Sequence, residues 1–338
     1  MSLRNARQRT PLPGLGPSPW SPSAVRSSVV YMTMHQDEIG IGAETAEQLI
    51  VEQFPEWRNE VIEQIKTGGT VNAIYRIGTA RMARFPLRAS DPSGVAADLR
   101  REASAMRELL TVCPCPAPIP IALGRPGHDY PLPWTVQSWL PGEVATPRGV
   151  AHADDFARDV AELIGALRTA PTRGRRFAGS GRGGHLPDSD RWMETCFRES
   201  QKLLDVPILK ALWARFRALP RTQADVMTHG DLIPANLLVR DYRLAGLLDT
   251  GGFAAADPAL DLIAAWHLFE TEARAVFRDA VGTGVTEWLR GAAWAFQQAM
   301  GLVWYYQTSN PGMAQLGRST LTRIVHDAEL SSTLPSAR

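Results

Sequence analysis

The stretch Thr228-His229-Gly230-Asp231-Leu232-Ile233-Pro234-Ala235-Asn236-Leu237-Leu238-Val239, followed by Gly246-Leu247-Leu248-Asp249-Thr250-Gly251, decides how the rest of this chain is read. Asp231 and Asn236 flank a loop bounded by Pro234, and Asn236 opens an apolar strand, Leu237 to Val239. A second apolar strand, Ala245 to Leu248, ends at Asp249, so a two-stranded ribbon would set Asn236 and Asp249 side by side. One carboxylate and one amide oxygen facing the same point suit Mg²⁺, a hard cation that takes few protein oxygens and completes its shell with phosphates. Asp231, just upstream, is placed to accept a proton from a hydroxyl nucleophile near such a phosphate. Asp, Asn, Pro and Gly also gather in ordinary turns. The joint pattern H-G-D-x-x-x-x-N, an apolar strand, then D-x-G, is what favours chemistry over a turn.

The surroundings of this stretch are mainly helical. After Pro141-Gly142 helical spacing covers Phe156 to Leu167, Arg191 to Leu203, Ile208 to Leu219, Pro258 to Phe269, Ala273 to Val281, Thr286 to Tyr306 and Thr320 to Asp327. Before it the signals alternate. A helix is expected at Ala46 to Phe54, strands at Asn72 to Gly78 and Arg81 to Leu87, a helix at Val95 to Leu110, and strands at Ile119 to Leu123 and Trp134 to Leu140. The expected fold is α+β and bilobal: a small, mostly antiparallel sheet lobe carrying one helix (39–137) and a larger, mainly helical lobe (138–338). Residues 1–38, rich in Pro, Ser and Arg with no acid before Asp37, read as a disordered tail, with Met32 or Met34 as candidate starts.

Composition narrows the function classes. The chain has 338 residues, 44% hydrophobic and 21% charged, with a net charge of +1, which gives no reason to expect a nucleic-acid or membrane partner. No apolar run is long enough for a spanning helix; Gly291 to Tyr306 comes nearest but carries Gln297 and Gln298 and reads as a buried helix. Three cysteines make no disulfide framework, and Cys113-Pro114-Cys115 is too short for a C-x-x-C pair. A reduced, cytoplasmic setting is expected.

The quoted segments resemble those of the aminoglycoside/macrolide phosphotransferases, a family similar to protein kinases in fold. The kinase motifs H-R-D-x-x-x-x-N and D-F-G correspond to His229 to Asn236 and Asp249-Thr250-Gly251. Further likeness lies in Gly68-Gly69-Thr70-Val71-Asn72, Arg84-Phe85-Pro86, Leu140-Pro141-Gly142-Glu143 and Asp257-Pro258-Ala259-Leu260-Asp261-Leu262. Gly181-Arg182-Gly183-Gly184 and Tyr305-Tyr306 resemble a macrolide-kinase-like bacterial branch.

The resemblance implies a small-molecule kinase using ATP or GTP and a hydroxylated small-molecule acceptor. It implies Asp231 as catalytic base or hydroxyl-orienting residue, Asn236 and Asp249 as Mg²⁺ ligands, and Gly68 and Gly69 as the turn over the phosphates. Arg84 would replace the phosphate-gripping lysine, with Arg81 and Arg88 as competitors, and Glu102 would pair with it. Backbone groups at Ser138 and Leu140 would meet the purine, while His229 would shape the loop rather than react. Asp257 and Asp261 would cap and brace the helix starting at Pro258, with Asp261 at the substrate cleft as the lesser option.

The acceptor itself is less legible. From Gln137 onward the chain has as many acids as bases, so no acidic field for a polycation is evident. Trp192, Trp266, Trp294, Trp304, Tyr305 and Tyr306 could offer apolar surface to a bulky alcohol or could simply be core. A metabolic kinase of a small hydroxyl compound and a nucleotide-binding pseudokinase are the competing readings.

Overall fold

The computed structural model describes residues 39–65 and 72–333. The expected tail and the Gly68-Gly69 turn lie outside them. The first lobe runs α1 (Ala43–Gln53), β1 (Ile62–Ile65), β2 (Asn72–Ile77), β3 (Arg81–Pro86), α2 (Pro92–Leu110), β4 (Pro120–Gly124) and β5 (Trp134–Ser138). The strands form one antiparallel sheet in the order β1-β2-β3-β5-β4. Period-two alternation sends Tyr75, Ile77, Ala83, Phe85, Trp134 and Val136 to one buried face. There Phe85 stacks on Trp134 at 4.6 Å and meets the edges of Tyr75 and Tyr130.

Two departures from expectation here have local causes. Strand β1, Ile-Glu-Gln-Ile, was not expected, because its only apolar residues are its ends; pairing with β2 makes it a strand. Helix α2 starts three residues early, because Asp91 caps it: its side chain accepts from the Gly94 N–H at 2.9 Å, and Pro92 follows at the first helical position.

The second lobe continues with β6 (Glu143–Val144), α3 (Asp154–Arg168), α4 (Asp190–Glu199), α5 (Val206–Phe216), β7 (Val226–Thr228), β8 (Leu237–Arg240), β9 (Arg243–Leu247) and β10 (Ala254–Ala256). Helices α6 (Ala264–Leu268), α7 (Thr271–Val281), α8 (Val285–Tyr305), α9 (Pro311–Val325) and α10 (Ala328–Thr333) complete it. Strands β8 and β9 form the expected ribbon, with β6 on its outer edge, and β7 pairs with β10. Around α3 and α8 lies a second core, separate from that of the sheet lobe. Trp266 and Trp294 belong wholly to it and offer no surface to a ligand. Among the described residues no helix is long and apolar enough to cross a membrane.

The stretch Pro258 to Phe269 is not one helix. A 3-10 turn at Asp261–Ile263 precedes the short α6. Its backbone bonds close on i−3, with Leu260 N–H donating to Asp257 O and Leu262 N–H to Ala259 O, and the Asp257 carboxylate is divided between two uses. One oxygen accepts from the Ala259 N–H, as a capping residue would, but the other is taken by Arg290 and by Trp294 Nε1 at 2.9 Å. Arg290 also donates to Leu219 O at 2.9 Å, and both partners of the ion pair are fully buried. Helix α9 begins well before Thr320, since Asn310 caps it and Pro311 follows.

Removing one partner of a buried pair strands the other charge without water. Asp257→Ala should therefore lower unfolding free energy by about 3–5 kcal/mol in urea titrations. A loss below about 1 kcal/mol, the scale of exposed pairs, would mean that the pair does not anchor this lobe.

Candidate active site

The loop after β7 is shaped from below by one buried carboxylate. Asp261 accepts the backbone N–H of His229 at 2.9 Å and of Gly230 at 2.8 Å. Burial pushes its carboxyl up, while His229 and the two N–H groups pull the other way. Asp261 thus braces this loop rather than its own helix. Gly230 sits at φ +83°, a left-handed conformation that side chains resist. The His229 ring spends both nitrogens on backbone: Nε2 donates to Leu248 O at 2.9 Å and Nδ1 accepts from Asp231 N–H at 3.3 Å. It ties the loop to the β8–β9 ribbon, in line with the structural part expected of it.

Asp231 projects from this loop and is almost fully buried. Its Oδ1 accepts from Arg182 Nη2 and from Gln298 Nε2, each at 2.8 Å. Among the described residues its Oδ2 has only a long contact, 3.3 Å, from Asn236 Nδ2. That amide donates more strongly to Asp231 O at 2.8 Å, which leaves Asn236 Oδ1 with lone pairs to offer a cation. The ribbon brings Asp249 beside it, since Leu248 N–H donates to Asn236 O at 2.8 Å. Asp249 lies at φ +52°, a strained setting for a residue other than glycine. Asn236 and Asp249 are hard oxygen donors of the kind Mg²⁺ takes, and among the described residues no cluster of three His, Cys, Asp or Glu competes with them.

Arg84 on β3 reaches across from the sheet lobe to Asp249, Nη2 to Oδ1 at 3.5 Å. Arg81, a competitor for its place, is held by Glu60 and lies over the Trp57 ring. The expected Arg84–Glu102 pair is not formed as such: the guanidinium turns to Asp249, and Glu102 lies alongside. Burial pushes the Glu102 carboxyl up, against the pull of Arg84 and with a further push from Asp249. Gly251 lets α2 come this close, because a Cβ there would lie 3.1 Å from Glu102 Cβ.

At the segment between the lobes, Ser138 is spent on the sheet: its N–H donates to Ile119 O, and its Oγ accepts from Ile119 N–H. No hydrogen bond to the Leu140 backbone is formed among the described residues.

Arg182 and Gln298 carry the contacts that sequence reasoning missed. Arg182 stood out only as part of a glycine-rich loop, and Gln298 only as a polar residue in an apolar helix. The usable signal was the second, since a glutamine buried in such a helix needs a polar partner. Residues 301, 302 and 305 share its face of α8, and Gly301 packs on Trp192. Trp192, Trp304 and Tyr305 are partly buried, and the rings of Trp192 and Tyr305 each meet that of Trp304, forming an aromatic strip about 10 Å along the helix from Gln298.

A two-lobed fold with a carboxylate base candidate, an Asn/Asp cation pair and an arginine reaching from the sheet defines a protein-kinase-like phosphotransferase. The model of the phosphotransferase enzyme family matches residues 61–294, and the chain belongs to that family. No curated protein sequence matches it. The GDP and kanamycin complex of APH(2'')-IIIa is 17% identical, with a TM-score of 0.65 over 82% of this chain and 97% of that one. Macrolide 2'-phosphotransferase MphH from Brachybacterium faecium is 18% identical, with a TM-score of 0.51 over 77% and 91%. Macrolide 2'-phosphotransferase type I gives 15%, 0.54, 83% and 98%. At these identities the likeness is one of fold.

The Glu102 carboxyl has a pH consequence of definite sign. An acid held above its ordinary value favours the protonated folded state, so its contribution is full below about pH 4.5 and is lost as pH rises through the folded value. Glu102→Gln, without nucleotide, should be more stable than wild type at pH 7.5, with the gap closing by pH 4.5. Parallel urea curves at both pH values read this, and an unchanged gap would contradict the burial argument.

Proposed function

We propose that this phosphotransferase moves the γ-phosphoryl group of ATP or GTP onto a hydroxyl of a small antibiotic-like acceptor. The observation that carries the reading is the set Asp231, Asn236 and Asp249 on one loop and ribbon, with Arg84 facing it from the other lobe. Asn236 Oδ1 and the Asp249 carboxylate would hold Mg²⁺, which would neutralise charge on the donor's phosphates. Arg84 adds positive charge from the sheet side, and the Leu140 backbone meets the purine; Gly68 and Gly69 would cover the phosphates. Asp231 Oδ2 takes the acceptor's hydroxyl proton as the oxygen bonds to the γ-phosphorus, and the γ-phosphorus–oxygen bond to the β-phosphate breaks. Positioning and charge neutralisation supply most of the acceleration, because the transition state is loose.

Arg182 bears on the acceptor. A guanidinium on Asp231 puts positive charge where a polycationic aminoglycoside would have to approach, which supports a neutral or weakly charged alcohol. The aromatic strip suits a bulky apolar ring face. A metabolic hydroxyl compound is the second reading, favoured by the same arginine.

The test is release of ADP from MgATP and of GDP from MgGTP across aminoglycosides, macrolides and hydroxylated metabolites. Asp231→Ala should lose about 10²–10⁴ in rate with nucleotide binding retained, and Asp249→Ala should abolish metal-dependent turnover. Full activity of both variants would overturn the assignment, and nucleotide binding with no acceptor-dependent release would point to a pseudokinase.

A further inference from the structure

Beneath Asp231 runs a chain of buried polar groups that the reaction as described does not use. Gln298 Nε2 donates to Asp231 Oδ1 at 2.8 Å, and its Oε1 lies 3.1 Å from His267 Nε2. His267 Nδ1 lies 2.8 Å from Thr320 Oγ1. These residues come from three helices, α8, α6 and α9, and His267 and Thr320 are completely buried.

The donor and acceptor logic runs one way. Burial, reinforced by the positive charge of Arg182, pushes the His267 imidazole down to about 3, so the ring is neutral, with one N–H and one bare nitrogen. Gln298 Oε1 can only accept, so Nε2 of the ring carries the hydrogen. Nδ1 is then the acceptor, and the Thr320 hydroxyl, which has no other hydrogen-bond partner among the described residues, donates to it. An amide can be turned over with little change of shape, and a turned Gln298 would aim its oxygen at the Asp231 carboxylate. The His267 N–H forbids that turn.

We propose that Gln298, oriented by His267 and Thr320, is a positioning residue that occupies Asp231 Oδ1 and so makes Oδ2 the oxygen that meets the acceptor hydroxyl. Arg182 binds the same Oδ1 from the opposite loop, and the two donors together fix the carboxylate plane. The proposal rests on the reading of Asp231 given above and adds the device that aims it.

The test measures nucleoside diphosphate release from MgATP and MgGTP, in buffer alone with water as acceptor and with each acceptor of the panel. Gln298→Ala should lower kcat about tenfold to a hundredfold with the nucleotide KM unchanged. His267→Leu should show a comparable loss, and the double variant should be no slower than Gln298→Ala alone, because both act through one hydrogen bond. A merely structural role would give losses that multiply and track the fall in Tm. Wild-type kcat in Gln298→Ala, or multiplying losses, would overturn the proposal. Full turnover in Asp231→Ala would instead overturn the phosphotransfer reading beneath it. A further measurement needs neither turnover nor a folded variant. In ¹⁵N-histidine-labelled wild type, His267 should remain neutral and protonated at Nε2 from pH 6 to 8, and an Nδ1-protonated or charged ring would contradict the relay.

Discussion

One carboxylate, Asp261, fixes the loop on which the site depends. Backbone N–H groups of a sharp turn need partners, and those of His229 and Gly230 find them in a single buried side chain supplied from a turn thirty residues onward. With those two groups held, Gly230 takes its left-handed conformation and Asp231 leaves the loop in one direction. The His229 ring, bonded to Leu248 O, then fixes the height of the ribbon that carries Asn236 and Asp249. Asp231, Asn236 and Asp249 are therefore built on one hydrogen-bonded frame, so a shift in any part moves the others.

Charge balance forms the next layer. Each acid of the set is matched by an arginine: Asp231 by Arg182 from the loop before α4, and Asp249 by Arg84 from β3. The second contact crosses between the lobes, so the position of the sheet lobe is felt at Asp249. Glu102, brought in because Gly251 lets α2 lie against the D-x-G turn, adds a carboxyl whose ionisation burial disfavours. Farther down, the Asp257–Arg290 pair holds the segment leading to Asp261 against α8, the same helix that delivers Gln298.

Much of this was legible in one dimension because local rules dominate there. The apolar runs flanking Asn236 and Asp249 could only be short strands, and the turn between them forces a ribbon. The alternation of Asn72 to Pro86 demanded a hairpin with one buried face. Where expectation slipped, a local signal had been passed over: the Asp91-Pro92 and Asn310-Pro311 caps start α2 and α9 early. In Pro258 to Phe269 the failure was of another kind. Helical spacing is present, but the backbone there closes on i−3 bonds, and Asp257 is committed to Arg290 and Trp294, residues far away in sequence.

The sequence by itself determined the fold class and the placing of Asp231, Asn236 and Asp249 on one loop and ribbon, because motif residues at fixed spacing depend only on neighbours along the chain. Tertiary structure alone decided which arginine faces which acid, that Ser138 is consumed by the sheet, that Trp266 and Trp294 are core, and that Arg182 and Gln298 share one oxygen of Asp231. The contacts of Arg182 and Gln298 with Asp231 and of Arg84 with Asp249 join residues between 49 and 165 positions apart. Their partners are chosen by how helices and loops pack, and no spacing rule along the chain encodes that choice.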